Sequence, residues 1–228
     1  MFQYFTYNDD KIKYRPFACE YPNDCPNCNH KIMPRHLADY YNQNDNLVSI
    51  FFICPACNNA FISNYQFNSN KQQSHRNTNY YTLTFLESLP KIPKNVEFEK
   101  CIKDLSTNFC EIYNQAQASE TYGLNQISGI GYRKSLEFLI KDYCIYRNPN
   151  DKDKIERMNL SQVINEYISS IKIKNLSKAS VWIGNDETHY FRKFKDKDIN
   201  DLKKFISSTI AFITYELISD EAESFINS

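Results

Sequence analysis

The apolar residues of this chain follow two different rhythms. Up to about residue 95 they come in short runs rich in β-branched and aromatic side chains. Leu47-Val48-Ser49-Ile50-Phe51-Phe52-Ile53 is one, Ala60 to Phe67 a second and Tyr80 to Phe85 a third, with polar segments between them. Such runs predict strands. From residue 97 the spacing changes. Phe98, Ile102, Leu105, Phe109, Ile112 and Ala116 recur at steps of four and three, which predicts one helix, and Gly123 stands where it can cap that helix. A second helix is expected from about Leu124 through Leu136, Leu139, Ile140 and Tyr143. The polar stretch from Arg147 to Glu156 reads as a loop. Shorter helices follow at Leu160 to Ile168 and Asn175 to Ile183, and a last one runs from about Ile199 to Leu217.

The turn from one rhythm to the other falls at Leu89-Pro90-Lys91-Ile92-Pro93-Lys94-Asn95, where two prolines interrupt both patterns. The expected class is therefore α+β: a β domain over residues 1–95 and a helical bundle over 96–228. The bundle seam is expected at Phe98, Ile102, Leu105, Phe109, Leu136, Leu139, Ile140, Leu202, Phe205 and Ile213.

Composition narrows the function classes. Hydrophobic residues make up 42% and charged residues 24% of 228, so the chain can build cores and is not globally disordered. Lys plus Arg and Asp plus Glu are 27 each. The balance is 9 basic to 7 acidic up to residue 95 and 18 to 20 after it, so charge names no polyanionic partner for either half. No apolar run has the ~18 residues of a membrane helix, and MFQYFTYNDD has no signal-peptide pattern. The expectation is a cytoplasmic protein with no membrane partner.

The eight cysteines are unevenly placed. Cys25-Pro26-Asn27-Cys28-Asn29 and Cys54-Pro55-Ala56-Cys57-Asn58 share one design. Two thiolates three positions apart on a tight turn present both sulfurs to one ion, and four of them form a closed tetrahedral site for zinc. Such a turn ends on a residue with positive φ; after glycine, asparagine tolerates this best, and Asn29 and Asn58 occupy the matching places. A structural Zn²⁺ on Cys25, Cys28, Cys54 and Cys57, in a zinc-ribbon-like domain, is therefore expected. A disulfide pairing would need an oxidising compartment, and a redox pair would explain only one of the two motifs. Cys19, His30 and His36 are close enough in sequence to substitute as ligands, although Cys19 reads better as the end of a strand.

The helical half carries two polar constellations. Gly129-Ile130-Gly131-Tyr132-Arg133-Lys134-Ser135-Leu136-Glu137 puts Arg133 and Glu137 on one helix face, and its two glycines, each costing about 1 kcal/mol in a helix, point to close approach by a neighbouring helix. Trp182-Ile183-Gly184-Asn185-Asp186-Glu187-Thr188-His189 places polar groups after a glycine expected to break the helix. Both have plain structural readings. Arg133 and Glu137 suit an interhelical ion pair, and Asn185, Asp186 and His189 suit a hydrogen-bonded network. Trp182 reads as core. His75 and the pairs Arg192-Lys193 and Lys203-Lys204 read as solvated.

Residues 97–217 resemble a bacterial helical domain of unknown function (family 4145 of that series), itself similar to the HEPN helical domains. The resemblance rests on Gly-x-Arg-Lys-x-Leu-Glu-x-Leu-Ile at Gly131 to Ile140 and Gly-Asn-Asp-x-x-His at Gly184 to His189. It implies a bundle that forms homodimers and serves a restriction or phage-defence system, with nucleic acid or a defence-system protein as partner. HEPN ribonucleases use an Arg-Asn-x-x-x-His motif. Asn185 and His189 match it, but Gly184 stands at the arginine's place, so the transition-state charge lacks its usual partner. The expected function is therefore a zinc-binding, non-catalytic interaction or regulatory module. The alternative is a metal-independent ribonuclease or toxin using His189, with Arg133 and Asn185 as phosphate or orienting groups. Arg133, Glu137, Asn185, Asp186 and His189 are expected to converge in either case.

Overall fold

The computed structural model describes residues 2–9, 12–73, 79–187 and 189–227, and the side chains of these from residue 18 onward apart from 71, 73 and 79. The class is mixed α+β, in two compact units, Met1–Ile92 and Pro93–Ser228.

The first unit is a six-stranded sheet in the order β1-β2-β6-β5-β4-β3. Its strands are β1 (Phe2–Asp9), β2 (Ile12–Glu20), β3 (Arg35–Asn42), β4 (Leu47–Ile53), β5 (Ala60–Gln73) and β6 (Asn79–Leu89). Consecutive partners are antiparallel, while β2 and β6 run parallel, pairing Phe17 with Tyr81 and Ala18 with Thr82. Period-two alternation puts Val48, Ile50 and Phe52 of β4 and Phe61, Tyr65 and Phe67 of β5 in one core with Cys19, Tyr41 and Leu83. Tyr65 donates its hydroxyl to the Glu20 carbonyl at 3.0 Å, tying β5 to the end of β2.

The second unit holds seven α-helices among the described residues. They are α1 (Lys100–Leu105), α2 (Thr107–Thr121), α3 (Asn125–Arg147), α4 (Lys152–Arg157), α5 (Leu160–Tyr167), α6 (Ile171–Asp186) and α7 (Ile199–Ile226). Of the expected seam, Ile102, Phe109, Leu136, Leu139, Ile140, Leu202 and Ile213 are buried, and Phe98, Leu105 and Phe205 pack half-buried against them. Gly123 takes φ +76° just past α2, the left-handed cap its position implied.

Three expectations need correction. The helix expected from Phe98 breaks at Ser106, whose side chain accepts from the Phe109 amide to cap α2 and donates to Asp142. A local cap overrode a continuous apolar period. The expected loop from Arg147 to Glu156 contains a 3-10 turn, Pro149–Asp151, and α4, whose only buried side chain is Ile155. Gly184 does not break its helix: α6 continues to Asp186.

Candidate metal centre and helical polar cluster

The two cysteine turns are built alike. In the first, Asn29 N–H donates to the Cys25 carbonyl (2.9 Å) and Cys25 N–H to that of His30 (3.1 Å). In the second, Asn58 N–H donates to Cys54 (2.9 Å) and Cys54 N–H to Asn59 (3.0 Å). Asn29 and Asn58 have φ of 59° and 57°, the left-handed conformation that lets each chain leave its turn. The second turn closes the β4–β5 hairpin, and the first lies between β2 and β3.

These turns gather four sulfurs. The Sγ atoms of Cys25, Cys28, Cys54 and Cys57 all lie within 4.8 Å of one another, with Cys25 to Cys57 at 3.9 Å and Cys28 to Cys54 at 3.7 Å. A tetrahedron with metal–sulfur bonds of about 2.3 Å has edges of about 3.8 Å, so the donor set fits a zinc-sized, thiophilic ion. It is the only such group of metal-holding side chains among the described residues.

Local electrostatics prepare one ligand. Burial resists ionisation of Cys54, but the amides of Cys57 (3.4 Å) and Ala56 (3.3 Å) donate to its sulfur, and with the neighbouring Cys25 and Cys57 they bring the thiol down to about 7. The spare donors are engaged elsewhere. Cys19 is buried in β2, its thiol pushed up to about 12 by burial and then by Asp39. His30 Nδ1 donates to the Cys28 carbonyl (3.2 Å), and His36 Nε2 lies 3.2 Å from Asp39 Oδ1. An ion held by all four sulfurs would keep no open position for a substrate.

In the helical unit, Arg133 of α3 reaches α6. Its Nε donates to Asn185 Oδ1 (3.3 Å) and its Nη1 to Glu137 Oε2 (3.3 Å), while Glu137 Oε1 pairs with Lys141 (3.0 Å). Asn185 thus accepts from the Arg133 guanidinium across the two helices. The glycines make this contact possible. A Cβ on Gly184 would lie 2.7 Å from Arg133 Cδ, and one on Gly129 would lie 2.6 Å from Glu187 Cβ. Gly131 faces Ala116 of α2 as closely, at 2.8 Å.

The rest of the expected cluster parts company with it. Buried Asp186 accepts from the Phe194 amide and so anchors the chain after α6. His189 is exposed, one turn beyond the helix, with its own amide on the Asn185 carbonyl. Trp182 is 57% exposed and stacks on Phe194, so it is not core. Arg192 pairs with Glu187. His75 lies outside the described residues.

A second polar group escaped the sequence reading. Tyr132 is fully buried and donates to Glu120 Oε2 (2.9 Å), which also pairs with Lys203 (3.0 Å). Burial and then Glu120 push the tyrosine hydroxyl well above its ordinary range. Lys203, expected to be solvated, thus closes a bridge from α7 to α2. Glu120 and Lys203 are 83 residues apart, so no local spacing announces the pair. No family model, curated protein or solved structure matches the chain.

Proposed function

We propose that this chain is a zinc-stabilised interaction module: a zinc-ribbon-like β unit joined to a HEPN-like helical bundle that pairs with a second copy, working without catalysis in a restriction or phage-defence system. The carrying observation is the four-sulfur group of Cys25, Cys28, Cys54 and Cys57, with separations suited to a tetrahedral thiophilic ion. Zinc would be held by these four side chains and would fix the β4–β5 turn against the turn that follows β2. The polar groups of the bundle support a non-catalytic reading. Arg133 is engaged by Glu137 and Asn185, and His189 is exposed rather than set in a cleft with it.

Elemental analysis of the protein purified without added metal tests the reading. It should give about one zinc per chain, and Cys28→Ser should abolish the retained metal. Retention of one zinc by that variant would overturn the ligand assignment. Incubation with single-stranded RNA, comparing the parent with His189→Ala, tests the non-catalytic part. A cleavage activity that disappears in the variant would replace this reading with the ribonuclease.

A further inference from the structure

We propose that the segment between α6 and α7, with the outer face of α6 beside it, binds a single-stranded nucleic acid. The proposal supplies a partner for the interaction module above and rests on that reading for binding without cleavage.

Rings and cations are interleaved in Tyr190-Phe191-Arg192-Lys193-Phe194-Lys195. The backbone of this segment is pinned. The Phe194 amide donates to buried Asp186, Arg192 pairs with Glu187, and Lys197 N–H donates to the Phe194 carbonyl (3.2 Å). Phe194 is thereby held against Trp182, with ring planes 9° apart and centroids 5.9 Å apart. The remaining aromatic surface stays open. Tyr190 is fully exposed, Phe191 is 73% exposed and Trp182 57%. Single exposed rings are ordinary on a protein surface, whereas a group of them marks a contact site.

The charges around these rings say what they meet. Most nearby acids are used within the chain: Glu187 on Arg192, Asp186 on the Phe194 amide, Asp198 on the amides of Asn200 and Asp201, and Asp201 on Lys197 (3.7 Å). Among the described residues no carboxylate pairs with exposed Lys193 and Lys195, or with Lys178, one turn before Trp182 on α6. Lys193 Nζ lies 5.5 Å from the Phe194 ring centre, which keeps its charge beside the stacked pair. Within the segment only exposed Asp196 opposes these cations without an ion-pair partner. The result is a local positive patch on a unit that is otherwise balanced in charge. A polymer that alternates flat bases with phosphates satisfies both features, bases stacking on the rings and phosphates lying along the lysines. In a duplex the bases stack on each other, so a duplex matches the lysines alone. A membrane surface fits less well, because it takes rings on one apolar face, whereas cations and Asp196 separate these.

Trp182 is the only tryptophan in the chain, so its fluorescence reads the site directly. Titrating the full chain, as purified, with short single-stranded oligothymidylate or oligouridylate at low salt should quench that emission to saturation. Quenching by either supports the proposal, and the tighter probe names the sugar. Phe191→Ala should weaken binding at least about fivefold, the lower end for one lost base stack. Lys193→Ala with Lys195→Ala should weaken it too, and should flatten the log–log salt dependence by about 0.7 per lost phosphate contact. Lys152→Ala with Lys154→Ala removes the same charge from α4 and should change neither quantity. All these side chains are exposed, so each variant should keep the parent's circular dichroism spectrum. No quenching, or parent-like binding by Phe191→Ala, would overturn the surface and leave the zinc and pairing readings standing. Equal losses in the two lysine pairs, or equal affinity for duplex DNA, would reduce the binding to charge attraction and overturn it as well. Blue-shifted emission with phosphatidylserine vesicles, without a response to oligonucleotides, would give the face to a membrane instead. Cleavage of a bound probe would overturn the non-catalytic reading and leave the surface.

Discussion

Among the described residues, the helical unit has twenty-two apolar side chains in one buried cluster, supplied by α1 to α7 and the residues just beyond them. The corresponding cluster of the β unit has eleven, two of which, Cys25 and Cys54, belong to the four-sulfur group. Burying a large apolar side chain contributes roughly 1.5–3 kcal/mol, so the bundle can stand on its own core. The described part of the β unit sets beside its smaller cluster a group of four sulfurs that could hold a metal ion. With a metal bound there, the two units would draw on different sources of stability, and each should fail under a different insult.

Metal removal should separate them most sharply. A structural zinc contributes apparent binding energy of about 10–16 kcal/mol in small zinc domains. Chelation should therefore unfold the β unit, read as loss of amide protection in β4 and β5 by hydrogen exchange, with helical circular dichroism preserved. Simultaneous loss of helical signal would show that the bundle depends on the metal, and the contrast would fail. Cys54→Ser should reproduce the chelated state without chelator.

A packing substitution makes the converse insult. A methyl on Gly131 would lie 2.8 Å from Ala116 Cβ and 3.3 Å from its Cα, where only helix displacement can make room. Gly131→Ala should destabilise the bundle by about 1–3 kcal/mol, partly offset by a helix propensity gain of up to about 1 kcal/mol. Denaturant unfolding should report the loss while zinc content stays unchanged.

Smaller effects sharpen the picture inside the bundle. Arg133→Ala should cost about 0.5–1.5 kcal/mol, because it removes one partner each of Asn185 and Glu137. Exposed His189→Ala should change stability by less than about 0.5 kcal/mol. Equal effects from both would return His189 to the network. The smallest effect expected is a pH-dependent one at Asp142. Burial first, and then Glu156, raise its carboxyl above the ordinary aspartate value against the Ser106 and Lys152 contributions. A raised folded value means the folded state binds the proton more tightly. That contribution is complete below the unfolded value near 4 and is lost as pH rises through the folded value. Asp142→Asn should therefore melt slightly higher than the parent at pH 7, and the gain should vanish as the pH is lowered toward 4.

The sequence was most legible where function and geometry are local. The cysteine turns needed only a spacing and two asparagines, and the positive φ at Asn29 and Asn58 followed from the same residues. The long helices were legible from their period, and Gly129 and Gly131 announced a close approach that Glu187 and Ala116 supply. Features set by distant partners were not. β2 pairs parallel with β6 across some sixty residues, and nothing local in either predicts that. β3 hides its alternation behind a bulge between His36 and Ala38 and leaves Leu37 and Tyr40 exposed at a sheet edge. Within the polar cluster, side-chain type showed that Arg133 needed partners but not that Asp186 would turn to the Phe194 amide and His189 to the surface.

Gly184 couples two positions that a reader of the chain would treat as unrelated. The Arg133 stem runs through the space a Cβ at residue 184 would fill. A descendant of this sequence that acquires alanine at 184 therefore inherits a collision, relieved most simply by a shorter residue at 133. That exchange would forfeit the bond to Asn185. Positions 133 and 184 should consequently drift as a pair: Arg and Gly kept together, or both replaced within a few substitutions of one another.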